Sequence, residues 1–148
     1  MPDRETLERA QKDAREGKSP STQAGEFVRE EIHHIREGQH GARSPQQAIA
    51  IGLSEARRAG VKLSPPKGPA GVRKKAAQDA AAGRKAKGSP HKTSIKRSRA
   101  SEAALKRESR NAASHEALSR QAKKSALKRG KQSRRQAAMK AARTRKAA

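Results

Sequence analysis

The excess of positive charge in this chain gathers almost entirely after the Ser64-Pro65-Pro66 break. Residues 1–63 carry 11 Lys and Arg against 10 Asp and Glu, whereas residues 64–148 carry 26 against 4. Only 31% of the chain is hydrophobic and the formal net charge is +23. Chains of low hydrophobicity and high net charge cannot bury enough apolar surface to offset the conformational entropy lost on folding. The expectation is an all-α protein in two unequal parts. A small, near-neutral helical module comes first, with helices near 3–16, 22–37 and 45–59, and a largely disordered or isolated-helix basic arm follows. In finer division, residues 1–20 form a polar N-terminal helix and 21–63 the helical module. Residues 64–97 form a Pro/Gly/Lys-rich linker, and 98–148 the Ala/Lys/Arg-rich arm.

Several function classes are disfavoured at once. There is no Cys, Trp or Tyr, and the one Phe is Phe27. Without Cys there are no disulfides or thiolate metal sites. Without aromatic rings, reading single strands by base stacking loses its usual platform. No run reaches the roughly 18 apolar residues of a membrane span. Residues 1–13 lack the apolar stretch of a secretory leader, so a cytoplasmic location, at the bacterial nucleoid, is expected. No nucleophile elbow and no Gly-rich phosphate loop occurs, and Ser and His fall in polar stretches, so the chain reads as a non-enzyme without cofactors.

The helices of the first half announce themselves by capping and period. Residues 2–16 carry Leu7 as their only large apolar side chain, which makes that helix marginal alone. Ser21 or Thr22 is placed to cap a second helix ending at Gly38. Its Ala24, Phe27, Val28, Ile32 and Ile35 recur at helical spacing. Ser44, Pro45 and Gln47 form a capping-box start to a third helix, and Gly60 suits a left-handed stop. Phe27, Val28, Ile32, Ile35, Ile49, Leu53, Val61 and Leu63 are the expected core. About 40 residues is near the lower limit for unaided folding, so marginal stability, or stabilisation by a partner or by self-association through residues 21–63, is expected.

Beyond the break, the linker offers at most a helical turn-pair near Val72–Ala82. The segment Ser101–Arg107 returns as Ser114–Arg120 and, shortened, as Ser125–Arg129. Gly130 interrupts the run, and Gln132–Lys146 reads as one more basic helix. The expected phosphate-binding residues are Arg73, Lys74, Lys75, Lys92, Lys96, Arg97, Arg99, Lys106, Arg107, Arg120, Lys123, Lys124, Lys128, Arg129, Arg134, Arg135, Arg143, Arg145 and Lys146. Each Lys or Arg that neutralises a phosphate releases a condensed counterion, so such an arm binds duplex DNA in a salt-dependent way without reading its sequence. Ser64-Pro65-Pro66-Lys67 and Ser89-Pro90-His91-Lys92 resemble the Ser-Pro-Lys-Lys-type turns of linker-histone tails, which reach narrow minor grooves. His33, His34 and His40 lie in one region, but no further His or Cys stands at a zinc-like spacing, and no metal is expected.

The stretch Gln47–Arg57 resembles a short bacterial domain of unknown function with the signature QAIAI(A/G)LSEAR after a Gly-rich lead. The resemblance covers roughly residues 25–63. It implies a small, often basic protein of a kind sometimes labelled DNA-binding, with no catalytic or ligand residue to carry over. The second half is similar in composition to histone-like bacterial tails. The expected function is sequence-tolerant binding of double-stranded DNA. The alternatives are an RNA- or ribosome-associated basic protein, a helix-turn-helix reader using Gln46, Gln47 and Arg57, and a stress-linked protein-interaction module.

Overall fold

The structure, a computed structural model, describes residues 2–85 and 94–147. It is all-helical, with no strand among the described residues. The order is α1 (Arg4–Arg15), α2 (Pro20–Glu37), α3 (Pro45–Arg58), α4 (Ala70–Lys85), α5 (Ile95–Lys106), a 3-10 turn (Arg110–Ala113), α6 (His115–Lys128) and α7 (Gly130–Ala147). The chain forms two compact units, Met1–Ala113 and Ser114–Ala148.

In the first unit the helix boundaries follow local chemistry. Ser19, two residues earlier than expected, caps α2: its Oγ accepts from the Thr22 N–H, and Pro20 takes the first helical position. Proline belongs there because its missing N–H would have no intrahelical partner. Ser44 caps α3 by accepting from the Gln47 N–H. The Gln47 side chain reaches back one residue further than a capping box requires and accepts from the Arg43 N–H. At the far end Gly60 adopts φ +95, its N–H bonds the Arg57 carbonyl, and the Val61 N–H bonds the Ala56 carbonyl. That double bond satisfies two orphan carbonyls and turns Val61 back onto the helix.

The expected core is present but finer-grained than the sequence suggests. One cluster joins Phe27 with Ala10, Ala24 and Ala56, bordered by Leu7, Leu53, Val61 and Leu63. A second joins Ile35 with Ala42, Ala48, Ala112 and Ala113, bordered by Ile32. Phe27 and Ile35 are fully buried, while Val28 and Ile49 are only half-buried. Alanines fill most of the remaining interior. α1 gains through this packing what it lacks alone. Leu7 and Ala10 meet α2, and Arg9 Nε lies 2.8 Å from Glu26 Oε2 across the α1–α2 contact.

Two segments outside residues 21–63 join this unit. The stretch 64–97, expected as a linker, holds the 16-residue helix α4, which packs on α3. Apolar surface alone does not explain the docking, since Ala76 is the one buried hydrophobic residue of α4. The buried carboxylate of Asp79 accepts from Ser54 Oγ at 2.7 Å and pairs with Lys75, with Arg58 at 3.9 Å. The 3-10 turn inserts Ala112 and Ala113 into the second cluster, and Arg36 Nε donates to the Ala113 carbonyl at 2.9 Å. The connector between α2 and α3 is held by the same region: Gly41 N–H bonds the Leu105 carbonyl and Ala42 N–H the Ser109 carbonyl.

The second unit is α6 and α7, separated at Gly130 by a left-handed backbone (φ +75). Ser114 caps α6, its Oγ accepting from the Ala117 N–H. None of its described residues is buried. The three copies of the sequence repeat do not repeat in structure. The first lies in the last turns of α5, the second opens α6 and the third ends it. Where an arm of disorder or isolated helices was expected, the described residues are helical throughout. Ala, Lys, Arg and Gln are all strong helix formers, and their summed propensity favours helix over coil.

Candidate nucleic-acid interface

The basic residues divide by whether an acid answers them. Among the described residues of the first unit, carboxylates pair with nine of the Lys and Arg. Lys18 lies 2.8 Å from both Asp13 and Glu16, and Arg29 lies 3.1 Å from Glu26. Arg43 pairs with Glu108, and Lys106 with Glu102 at 2.7 Å. Lys18 holds the Glu16 carboxyl below its ordinary range by hydrogen bond and charge, and Lys106 does the same to Glu102. Two expected phosphate-binding residues, Lys75 and Lys106, are therefore occupied by carboxylates.

The second unit has no such balance. It contains twelve Lys and Arg and a single acid, Glu116. Among the described residues, no carboxylate lies within ion-pair distance of Arg120, Lys123, Lys124, Lys128, Arg129, Arg134, Arg135, Arg143 or Arg145, all of them exposed.

Helical period sorts these cations. At about 100° per residue, Lys131, Arg134, Arg135 and Arg145 fall within an arc of roughly 100° on α7. Arg143 lies off it. On α6, Arg120, Lys123, Lys124 and Lys128 share an arc of roughly 140° by the same geometry. Each helix thus presents a basic stripe, where the sequence blocks suggested cations facing several directions. Lys131, at the head of the α7 stripe, was not among the expected residues. Its three- and four-residue spacing to Arg134 and Arg135 was the available clue.

The remaining candidates are scattered. Arg73 and Lys74 are exposed on α4, and Lys96, Arg97 and Arg99 on α5, with Arg107 just beyond its end. Lys92 lies outside the described residues, and so does the Ser89-Pro90-His91-Lys92 turn. Lys146 falls on α7, but its side chain is outside the described set. Ser64-Pro65-Pro66 runs without regular structure into a bend at Lys67.

Of the residues proposed for a sequence reader, Gln47 is taken up in the α3 cap. Arg57 turns back toward the Leu53 carbonyl at 3.4 Å. α3 is packed against α2, α4 and the 3-10 turn.

One cluster goes beyond the sequence reading, which noted His34 and His40 but not Glu31 or Asp3. Glu31, His34 and His40 bring a ligand-type atom each to within 4.8 Å of one another, and Asp3, Glu30 and His34 do the same beside them. The spacing of Glu31 and His34, three apart on a helix, was its trace in the sequence. The arrival of His40 from the connector had none.

Residues 15–68 match a family of unknown function (DUF6496). The match covers α2, the connector and α3, and contains the stretch whose resemblance was noted from sequence. That stretch is a domain of unknown function. No curated protein and no solved structure gives a match to the chain. No helix among the described residues is long and apolar enough to cross a membrane.

Proposed function

We propose that this is a non-enzymatic, sequence-tolerant DNA-binding protein of the nucleoid or histone-like kind, acting through phosphate contacts of its basic arm. The observation that carries the reading is the second unit: twelve basic residues, one acid, and an exposed basic stripe on each of two helices. Stripes of cations at three- and four-residue spacing match a polyanion better than any small ligand. DNA presents about one charge per 1.7 Å of axis, so a stripe running from residue 131 to 145, about 21 Å of helix, passes many phosphates.

Sequence-tolerant binding is favoured over base reading. Of the three residues suited to base edges on α3, Gln46, Gln47 and Arg57, the last two have backbone partners inside the first unit. In the second unit the long polar side chains are mostly Lys and Arg on open surface. Such contacts position a protein on the backbone and carry no sequence information. The finer architecture follows: the first unit is the ordered headpiece, a docking or self-association module, and the second unit supplies affinity.

The test is an electrophoretic shift of random-sequence duplex DNA by the full-length chain, titrated with salt. If 6–10 phosphates are engaged, affinity falls by about 10³–10⁵ between 50 and 200 mM salt. Binding indifferent to salt over that range would overturn the proposal. Competition with duplex RNA separates DNA from RNA preference.

A further inference from the structure

We propose that Glu31, His34 and His40 form a binding site for a divalent transition-metal ion of zinc's class. Glu31 and His34 project from one face of α2, and His40 comes from the connector that follows it. Their ligand atoms already lie within 4.8 Å of one another. Ligand atoms around a tetrahedral zinc sit about 3.4 Å apart for bonds of about 2.1 Å. Small side-chain rotations close that difference.

The hydrogen bonding of His40 is that of a metal ligand. Its Nδ1 lies 3.1 Å from the Gly41 carbonyl, which can only accept, so Nδ1 carries a proton. In the neutral ring the lone pair is then on Nε2. That atom stands 3.6 Å from Glu31 Oε2, so a lone pair faces a carboxylate. A cation between them turns that opposition into two bonds. A backbone carbonyl on the far ring nitrogen is the usual support for a ligating imidazole. The connector itself is fixed by Gly41 and Ala42, whose N–H groups bond the Leu105 and Ser109 carbonyls.

Glu31 supplies the independent observation. It is 3% exposed, and its Oε1 has no hydrogen-bond partner. A buried acceptor left unmade is costly. A metal ion satisfies it. The imidazoles are only partly covered, with side chains 19% and 18% exposed for His34 and His40, which leaves a path for the ion.

His34 is shared with a second group, Asp3 and Glu30. Its Nε2 lies 3.5 Å from Asp3 Oδ2 and 3.9 Å from Glu30 Oε1. We assign the ion to the Glu31 side because two imidazoles and one carboxylate form a donor set that borderline ions prefer, whereas Asp3, Glu30 and His34 give two oxygens and one nitrogen. Asp3 and Glu30 then orient the His34 ring.

The experiment uses the full-length chain without a histidine tag, stripped with chelator and titrated with zinc chloride by calorimetry, with Co2+ absorption as a second readout. One ion per chain, a zinc-dependent rise in Tm, and ligand-field bands with Co2+ are expected. H40A and E31Q each weaken binding roughly tenfold or more and remove the bands. H33A, at an exposed neighbour beside Glu37, leaves both unchanged. Circular dichroism of each variant establishes that it is folded, and E31Q, which keeps the side chain's shape, stands in where H40A does not fold. The proposal is overturned if the folded wild type takes up no zinc or if H33A weakens binding as much as H40A. It is equally overturned if D3A abolishes binding while H40A retains it, which places the ion on the other triad.

Discussion

Gly52 of α3 lies against the backbone of Val28 of α2 so closely that a Cβ at position 52 would stand 2.8 Å from the Val28 Cα. The neighbouring atoms are backbone, so no side-chain rotation relieves the clash. G52A must push α2 and α3 apart. Alanine gains up to about 1 kcal/mol of helix propensity over glycine, while overpacking costs about 1–3 kcal/mol, so the net effect is loss of stability. The control is G25A in α2, where nothing lies within 4 Å. There the propensity gain stands alone and the protein is stabilised. Urea midpoints of the two variants should move in opposite directions.

The turn between α1 and α2 sets an acid-side pH dependence. Lys18 bridges Asp13 and Glu16 at 2.8 Å each, and it lowers the Glu16 carboxyl from 4.5. A lowered folded value means that the stabilisation is present above about 4.5 and is lost as pH falls through the lowered value. Wild type is therefore more stable than K18M at neutral pH, and the gap closes on acidification. Thermal unfolding of both proteins across that range measures it, and a gap that widens toward acid refutes the account. The effect is small because Lys18 and Glu16 are exposed.

If the α7 stripe contacts phosphates, its removal shows in the salt slope. Replacing Lys131, Arg134, Arg135 and Arg145 by Ala lowers the magnitude of d log K/d log[salt] by about 3–4, near 0.9 per lost contact. K75A should leave that slope alone, because Lys75 is engaged by Asp79. A K75A change as large, per charge removed, as that of the stripe variant would mean that charge number, and not the stripe, governs binding.

The buried carboxylate of Asp79 holds α4 on α3 through Ser54 and Arg58, with Lys75 of α4 itself as a third partner. D79A removes all three partnerships at once, leaving few apolar contacts to keep α4 in place. Amide exchange over residues 70–85 should accelerate strongly, while α2 and α3 keep their protection. Uniform acceleration would mean that α4 is integral to the core.

What could be read beforehand was local. Ser44, Pro45 and Gly60 bound α3 because caps act over three or four residues and leave a compositional trace. Phe27 and Ile35 were legible as core because large apolar residues at helical period have few other uses. Ala112 and Ala113 were not, since alanine is common throughout the second half and burial there depends on the distant connector. Asp79 was hidden for a related reason. A lone acid among lysines reads as surface, and only the docking of α4 makes it a buried partner. The basic residues were identifiable one by one, but their grouping into stripes required the helix phase set at Ser114 and Gly130. The His40 contact with Glu31 depends on a turn whose geometry no short motif records.

With no buried residue among those described, the second unit has only local helix propensity to set how helical it is. Along both stripes, like charges stand three and four positions apart and oppose the very conformation that aligns them. If the proposed polyanion binding holds, multivalent anions that relieve this repulsion firm up α6 and α7, and the far-UV signal of this segment becomes a gauge of the ionic surroundings.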